Sequence, residues 1–280
     1  MTAELEHYKN VAVSVQTAQT MTALSMLPRI MVMQPIPGAG DCDRCDAAGG
    51  LIEEIGMRAV DCQRAGASGI SFRLRDGMAQ LSLDSGLWQA IMMEIGYRAP
   101  GLYVQLSLEN MSRSSPDQIR LLINTLRPSA VSLSLRDLAS TAHADDLGYF
   151  YHACLEAGIA VQHVLADHDE IAKLAWMIDD GVIPEEELKL LLHVDSWQRD
   201  DVSHVAPFIA RLKADLPDAD WALSASGPGD SACLYAAMML GGKVRLDSQD
   251  VIDQQAEVDG ILANGGQLRE LVQMLGLSSV

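Results

Sequence analysis

Gly241-Gly242-Lys243-Val244-Arg245-Leu246-Asp247-Ser248-Gln249-Asp250 reads as a glycine turn, a short strand and a polar exit. It is the last of eight such units. Apolar runs bounded by glycine, proline and polar residues stand at 29–35, 69–74, 102–107, 130–134, 159–164, 189–194, 220–225 and 243–246. Between them lie helical patterns, such as residues 51–65 with apolar Leu51, Ile55 and Ala59, and 115–126 with its Ser-Ser-Pro start. Seven connecting helices and a closing one at 267–275 complete an eightfold strand–helix alternation. That pattern predicts a TIM (β/α)8 barrel. An open dinucleotide-binding sheet is disfavoured, because the first turn, Gln34-Pro35-Ile36-Pro37-Gly38-Ala39-Gly40, is not Gly-x-Gly-x-x-Gly.

The chain of 280 residues suits one such barrel over residues 29–280, preceded by a partly helical extension at 1–28. Lysine plus arginine number 20 against 38 aspartate plus glutamate, a formal net charge of −18 that repels a phosphate backbone. Nucleic acid is therefore excluded as a partner. No apolar run reaches the roughly 18 residues of a membrane span, and the N-terminus lacks a basic signal-like start, so a cytoplasmic protein is expected. Five scattered cysteines argue for reduced thiols rather than a disulfide framework. The 14 methionines, paired at Met31 and Met33, Met92 and Met93, and Met238 and Met239, are expected to fill the core.

Barrel chemistry gathers where strands end. Those positions hold Arg73, Arg75 and Asp76; Ser107 and Glu109; Ser134 and Arg136; His163 and Asp167; His193 and Asp195; Ser224 and Ser226; and Arg245, Asp247, Gln249 and Asp250. Arginines, carboxylates and histidines on one face suit a small anionic molecule gripped by guanidinium groups beside a base. Cys42 and Cys45 have Cys-x2-Cys spacing, which leaves a solitary metal site on the first loop as an open alternative. Gly227, Pro228 and Gly229 precede Asp230 and Ser231, a turn that could cradle phosphate or simply begin a capped helix.

Two segments carry a family resemblance. Arg64-Ala65-Gly66-Ala67-Ser68-Gly69-Ile70-Ser71-Phe72-Arg73-Leu74-Arg75-Asp76 resembles the Ala-Gly-Ala-x-x-x-His-x-His-x-Arg-Asp motif of the β-keto acid cleavage enzymes, which include 3-keto-5-aminohexanoate cleavage enzyme. The 241–250 stretch is similar to that family's Gly-Gly-His-Val-Arg-Val-Gly-Leu-Glu-Asp. The resemblance implies an oligomeric TIM barrel that cleaves a small keto acid with acetyl-coenzyme A as cosubstrate, a zinc ion polarising the keto carbonyl. By residue matching the zinc positions are Ser71, Arg73 and Gln249, none of them an expected ligand, so the metal is expected to be absent. Asp230 and the acidic surface count against coenzyme A. Arg245 and Asp250 match the family's catalytic arginine and aspartate. Arg73, Arg75, Ser107, Gln249, His163 and His193 are the expected substrate-binding set. Two functions stay open: keto acid cleavage or acyl transfer without zinc, and a homologue that has lost catalysis and binds a small anion or serves as an inert partner subunit.

Overall fold

A computed structural model describes residues 26–36, 47–75, 81–109, 115–139, 144–186, 188–195, 202–226, 230–247, 268 and 272–273. Eight parallel strands close into a barrel in sequence order: β1 (Ile30–Ile36), β2 (Gly69–Leu74), β3 (Tyr103–Ser107), β4 (Ala130–Ser134), β5 (Ala160–Leu165), β6 (Lys189–Asp195), β7 (Asp220–Ser226) and β8 (Lys243–Asp247). Closure is set by β1, which pairs with β2 at Met31 and Gly69 and with β8 at Ile30 and Val244. The strands fall within a residue of the expected runs, because branched and aromatic residues bounded by turn formers fit a buried parallel sheet.

The helices are α1 (Ala47–Arg64), α2 (Ser85–Arg98), α3 (Pro116–Leu126), α4 (Leu135–Ala139), α5 (Ala144–Glu156), α6 (His168–Asp179), α7 (Val205–Asp215) and α8 (Asp230–Met239). The Ser-Ser-Pro signal marks a real capping box: the Gln118 backbone N–H donates to Ser115 Oγ at 3.3 Å and the Ser115 N–H donates to Gln118 Oε1 at 2.9 Å. One departure is the connection after β4, which holds two helices where one was expected. The chain enters α4 directly from the strand, with Ser134 Oγ accepting from the Asp137 N–H at 3.4 Å. Of the expected closing helix, Leu268, Val272 and Gln273 are described, and the first two are buried. The extension through residue 25, and Cys42 and Cys45, lie outside the described residues. No described helix is long and apolar enough to cross a membrane.

The glycine pair of the opening stretch has a steric cause. Gly241 leaves α8 at φ 88°, a left-handed conformation that strains other residues. A Cβ on Gly242 would sit 2.2 Å from ring carbons of Trp221 on the neighbouring strand, so only glycine lets β8 begin there. The methionine expectation holds in part. Met31 and Met33 are buried, whereas Met93 and Met239 on helix surfaces are exposed.

Strand alternation divides the polar from the apolar. Ile70, Phe72 and Leu74 of β2, Val104 and Leu106 of β3, and Val244 and Leu246 of β8 join one hydrophobic core with the helices. There Phe72 meets Trp88 at 5.2 Å between ring centroids, and burying each such side chain contributes about 1.5–3 kcal/mol. The opposite parity faces the barrel axis. Its middle is polar: Gln105 Nε2 donates to Gln162 Oε1 at 2.9 Å, and Gln162 Nε2 donates to the Leu190 carbonyl at 3.1 Å.

Candidate functional site

Above that layer, Ser71 and Arg73 of β2, Ser107 of β3, Ser132 of β4 and Arg245 of β8 share the inward parity, and all are buried. Glu109 follows Ser107 by two residues, so it continues the inward face of β3 past the strand's end. Its carboxylate is the hub of the mouth. Arg245 grips it in a two-point fork, Nη1 donating to Oε1 at 2.5 Å and Nη2 to Oε2 at 3.0 Å. Arg73 Nη2 donates to Oε2 at 3.2 Å and to Ser107 Oγ at 3.0 Å. Ser132 Oγ donates to Oε1 at 2.6 Å. Burial alone would push the Glu109 pKa up, but the charge and hydrogen bonds of Arg245, then the charge of Arg73 and the Ser132 hydroxyl, outweigh it and hold the carboxyl at about 2. Glu109 is thus a fixed anion and not a proton acceptor at neutral pH.

Arg73, Glu109 and Arg245 form the floor of a cleft of about 200 Å³, whose walls include Met33, Val164 and His193. That is below the ~300–1,000 Å³ of drug-sized pockets and in keeping with a small acid. His193 of β6 shares a hydrogen bond with Ser224 of β7, Nδ1 to Oγ at 2.9 Å, which fixes the ring on the wall. At the rim Arg136 pairs with Asp167 at 3.1 Å and Glu170 at 2.9 Å. Those acids are themselves tied to the start of α6: the Glu170 N–H donates to Asp167 Oδ1 at 2.9 Å, and the Ala166 N–H donates to Glu170 Oε2 at 2.6 Å. Asp137 adds a further carboxylate to the wall.

The structure brings together Arg73, Arg245, Ser107 and His193 of the expected set, with Ser107 serving to hold Arg73. Arg75 sits beyond β2, half-buried in a bridge with Leu81 and outside the cleft lining. His163 is the correction. Its neighbour Gln162 takes the inward face, so His163 points outward against α5, where its ring meets Tyr151 at 5.2 Å between centroids. Burial lowers its pKa to about 4, and Nδ1 has no hydrogen-bond partner among the described residues. It cannot touch a ligand at the mouth. Gln249 and Asp250 lie outside the described residues. Ser132 was not among the strand-end residues and Glu109 was there without a specific role, yet the alternation of Gln105, Ser107 and Glu109 with Val104, Leu106 and Leu108 marks the face on which Glu109 falls. Among the described residues, no group of three histidine, cysteine, aspartate or glutamate side chains is arranged to hold a metal ion.

Comparison with known proteins agrees with this architecture. A family model described as beta-keto acid cleavage enzyme matches residues 51–275. The structure of ObcA in binary complex with oxaloacetate superposes with a TM-score of 0.58 at 16% identity, over 81% of this chain and 63% of that one. This chain therefore spans under two thirds of the length of ObcA. Type I 3-dehydroquinate dehydratase from Clostridium difficile matches with a TM-score of 0.57 at 10% identity, over 90% of this chain and 94% of that one. Dihydrodipicolinate synthase from Agrobacterium tumefaciens str. C58 matches with a TM-score of 0.53 at 14% identity, over 90% and 83%. At these identities the likenesses to solved structures carry the barrel fold.

Proposed function

The chain belongs to the beta-keto acid cleavage enzyme family, and from that premise we propose that it binds a small keto acid through Arg73 and Arg245 and cleaves a carbon–carbon bond in it, or transfers its acyl part, without the family's zinc. The observation that carries this reading is the convergence of two buried guanidiniums at the C-terminal mouth of the barrel. A buried ion cluster of this kind is on average no better for stability than apolar packing. Its place is explained by ligand binding, since a fork of N–H donors in a water-poor cleft grips a carboxylate or an enolate oxygen.

The residues at the matched metal positions do not fit zinc. Ser71 offers a buried hydroxyl and Arg73 cannot lose its proton. A further cation set beside Arg73 and Arg245 would meet like charge. Both Glu109 oxygens are already held by arginines. In place of a Lewis acid the reading uses the guanidiniums. A nucleophile from the acyl acceptor adds to the keto carbon, and the bond to the α-carbon breaks. The electron pair passes to the α-carbon fragment as an enolate, and a proton returns to that carbon. Arg73 or Arg245 stabilises the developing oxyanion. His193, on the cleft wall with its ring fixed by Ser224, handles the proton. Neighbours such as ObcA, solved with oxaloacetate and with a C4-CoA adduct and oxalate, support a keto acid and an acyl-thioester acceptor as the substances to try.

The test incubates chelator-dialysed protein with acetoacetate or oxaloacetate and acetyl-coenzyme A, following new thioesters by mass spectrometry. Turnover that falls at least 100-fold in Arg73→Ala and in Arg245→Ala is expected. Unchanged binding and turnover in Arg73→Ala sinks the reading. A second reading, a binder without turnover, is favoured by the loss of all three matched zinc ligands, Ser71, Arg73 and Gln249 standing in their places. Thermal stabilisation by keto acids with no product formed would select it.

A further inference from the structure

We propose that Val164 sets the length of keto acid that the cleft accepts, so that the ligands of this mouth are short, unbranched 3-oxo acids whose alkyl end rests against that side chain. This rests on the reading that Arg73 and Arg245 hold the keto acid's carboxylate, and it places the other end of the molecule.

Gln162 faces the barrel axis, where its Oε1 accepts from Gln105 of β3 and its Nε2 donates to the Leu190 carbonyl. Val164, two residues further along β5, shares that inward face and lines the cleft. Its strand lies halfway round the closed ring from β1, whichever way the strands are counted, and β1 supplies Met33 to the same cleft. A ligand seated on Arg73 and Arg245 thus lies between two apolar side chains from opposite sides of the barrel. The strands beside β5 bring polar groups to the wall, Ser134 of β4 and His193 of β6. Past the end of β5, Ala166 carries the strand's apolar edge to the rim, where it is exposed. An alkyl group fits this edge, whereas a polar end laid on Val164 would lose water and gain no partner from it.

The two apolar walls differ in stiffness. Met33 is unbranched and flexible, so it moves aside for a ligand. Val164 is branched at Cβ, which narrows its choice of χ1, and it packs against a buried cluster of Leu27, Leu191 and Ala222. Leu191 is its partner in the register of β5 with β6 and is itself fully buried. Val164 therefore neither turns nor sinks when a ligand arrives. Its methyl groups mark a fixed limit.

One methylene more or less in an apolar site changes acceptance by roughly 10- to 200-fold. Acetoacetate and 3-oxohexanoate share the keto acid group and differ by two methylenes, so the ratio of their affinities reads the position of the wall. Isothermal titration of the full chain is expected to give roughly tenfold or more tighter binding of acetoacetate. Val164→Ala recedes the wall and should move that ratio roughly tenfold toward 3-oxohexanoate. Val164→Ile keeps the Cβ branch, extends the wall by one methylene and should move the ratio the other way. Val161→Ala makes the same truncation at the other parity of β5, where Val161 packs against the core shared with the helices, and should leave the ratio unchanged. A ratio that stays constant in both Val164 variants, or that Val161→Ala moves as far as Val164→Ala does, overturns the role of Val164 while keto acid binding stands. Equal binding of the two acids by the wild-type protein overturns it in the same way. Failure of the wild-type protein to bind either acid overturns the underlying reading as well.

Discussion

Glu109 and His163 are both ionisable and both buried, Glu109 two residues past the end of β3 and His163 within β5, yet they lie in opposite chemical worlds. Glu109 falls on the inward parity of β3 and is met by Arg245, Arg73 and Ser132, which keep it charged. His163 falls on the outward parity of β5, meets the Tyr151 ring at a tilt, and stays neutral because burial disfavours its cation. Burial opposes charge in both. What decides the outcome is the number of donors that one residue of register brings within reach. The barrel interior is wired for an anion, and the strand–helix layer tolerates a polar ring only uncharged.

The sharpest way to break this contrast is Arg245→Ala. It leaves Glu109 buried with two of its three guanidinium hydrogen bonds gone and should destabilise the protein by about 3–5 kcal/mol in chemical denaturation, with loss of keto acid binding. A smaller effect is expected from Ser132→Ala, which takes one donor from the Glu109 carboxylate and should cost about 2 kcal/mol in the same measurement. Smallest is His163→Phe. It removes a buried nitrogen that lacks a partner among the described residues and should raise stability at pH 7 by about 1 kcal/mol while leaving keto acid binding unchanged.

The two groups also predict separate acid windows. The folded pKa of His163 is depressed from 6.5 to about 4, so its contribution is present above pH 6.5 and is lost as pH falls toward 4. Glu109 is depressed from 4.5 to about 2, so its contribution persists to pH 4.5 and is lost as pH falls toward 2. Denaturation midpoints across pH should show both declines in the wild-type protein. His163→Phe should abolish the upper one and keep the lower. Loss of both together would mean that the two groups are not independent.

Much of the fold was legible because strand and helix periods alternate eight times and the turns between them are marked by glycine, proline and capping residues. The glycine pair at 241 and 242 pointed to the last strand for a reason visible only in three dimensions, the Trp221 ring packed against Gly242. The site was half legible. Arg73 and Arg245 stood out by their motifs, but nothing local joins Arg245 to Glu109, 136 residues away. Glu109 stood among the strand-end residues, but as one carboxylate among several, with no motif to mark it as the partner of both arginines. His163 was misplaced because Gln162 and His163 are adjacent polar residues in one strand, so alternation alone cannot say which faces the axis. The Gln162–Gln105 hydrogen bond decides it.

The central claim is that guanidiniums, in place of a metal, hold the ligand at this mouth. It is tested most directly by isothermal titration of acetoacetate into protein dialysed against a chelator, with Arg73→Ala beside it. The account predicts saturable one-to-one binding to the metal-free wild-type protein and at least a 100-fold loss in the variant. Binding that appears only when zinc is restored, or that survives undiminished in Arg73→Ala, would contradict it.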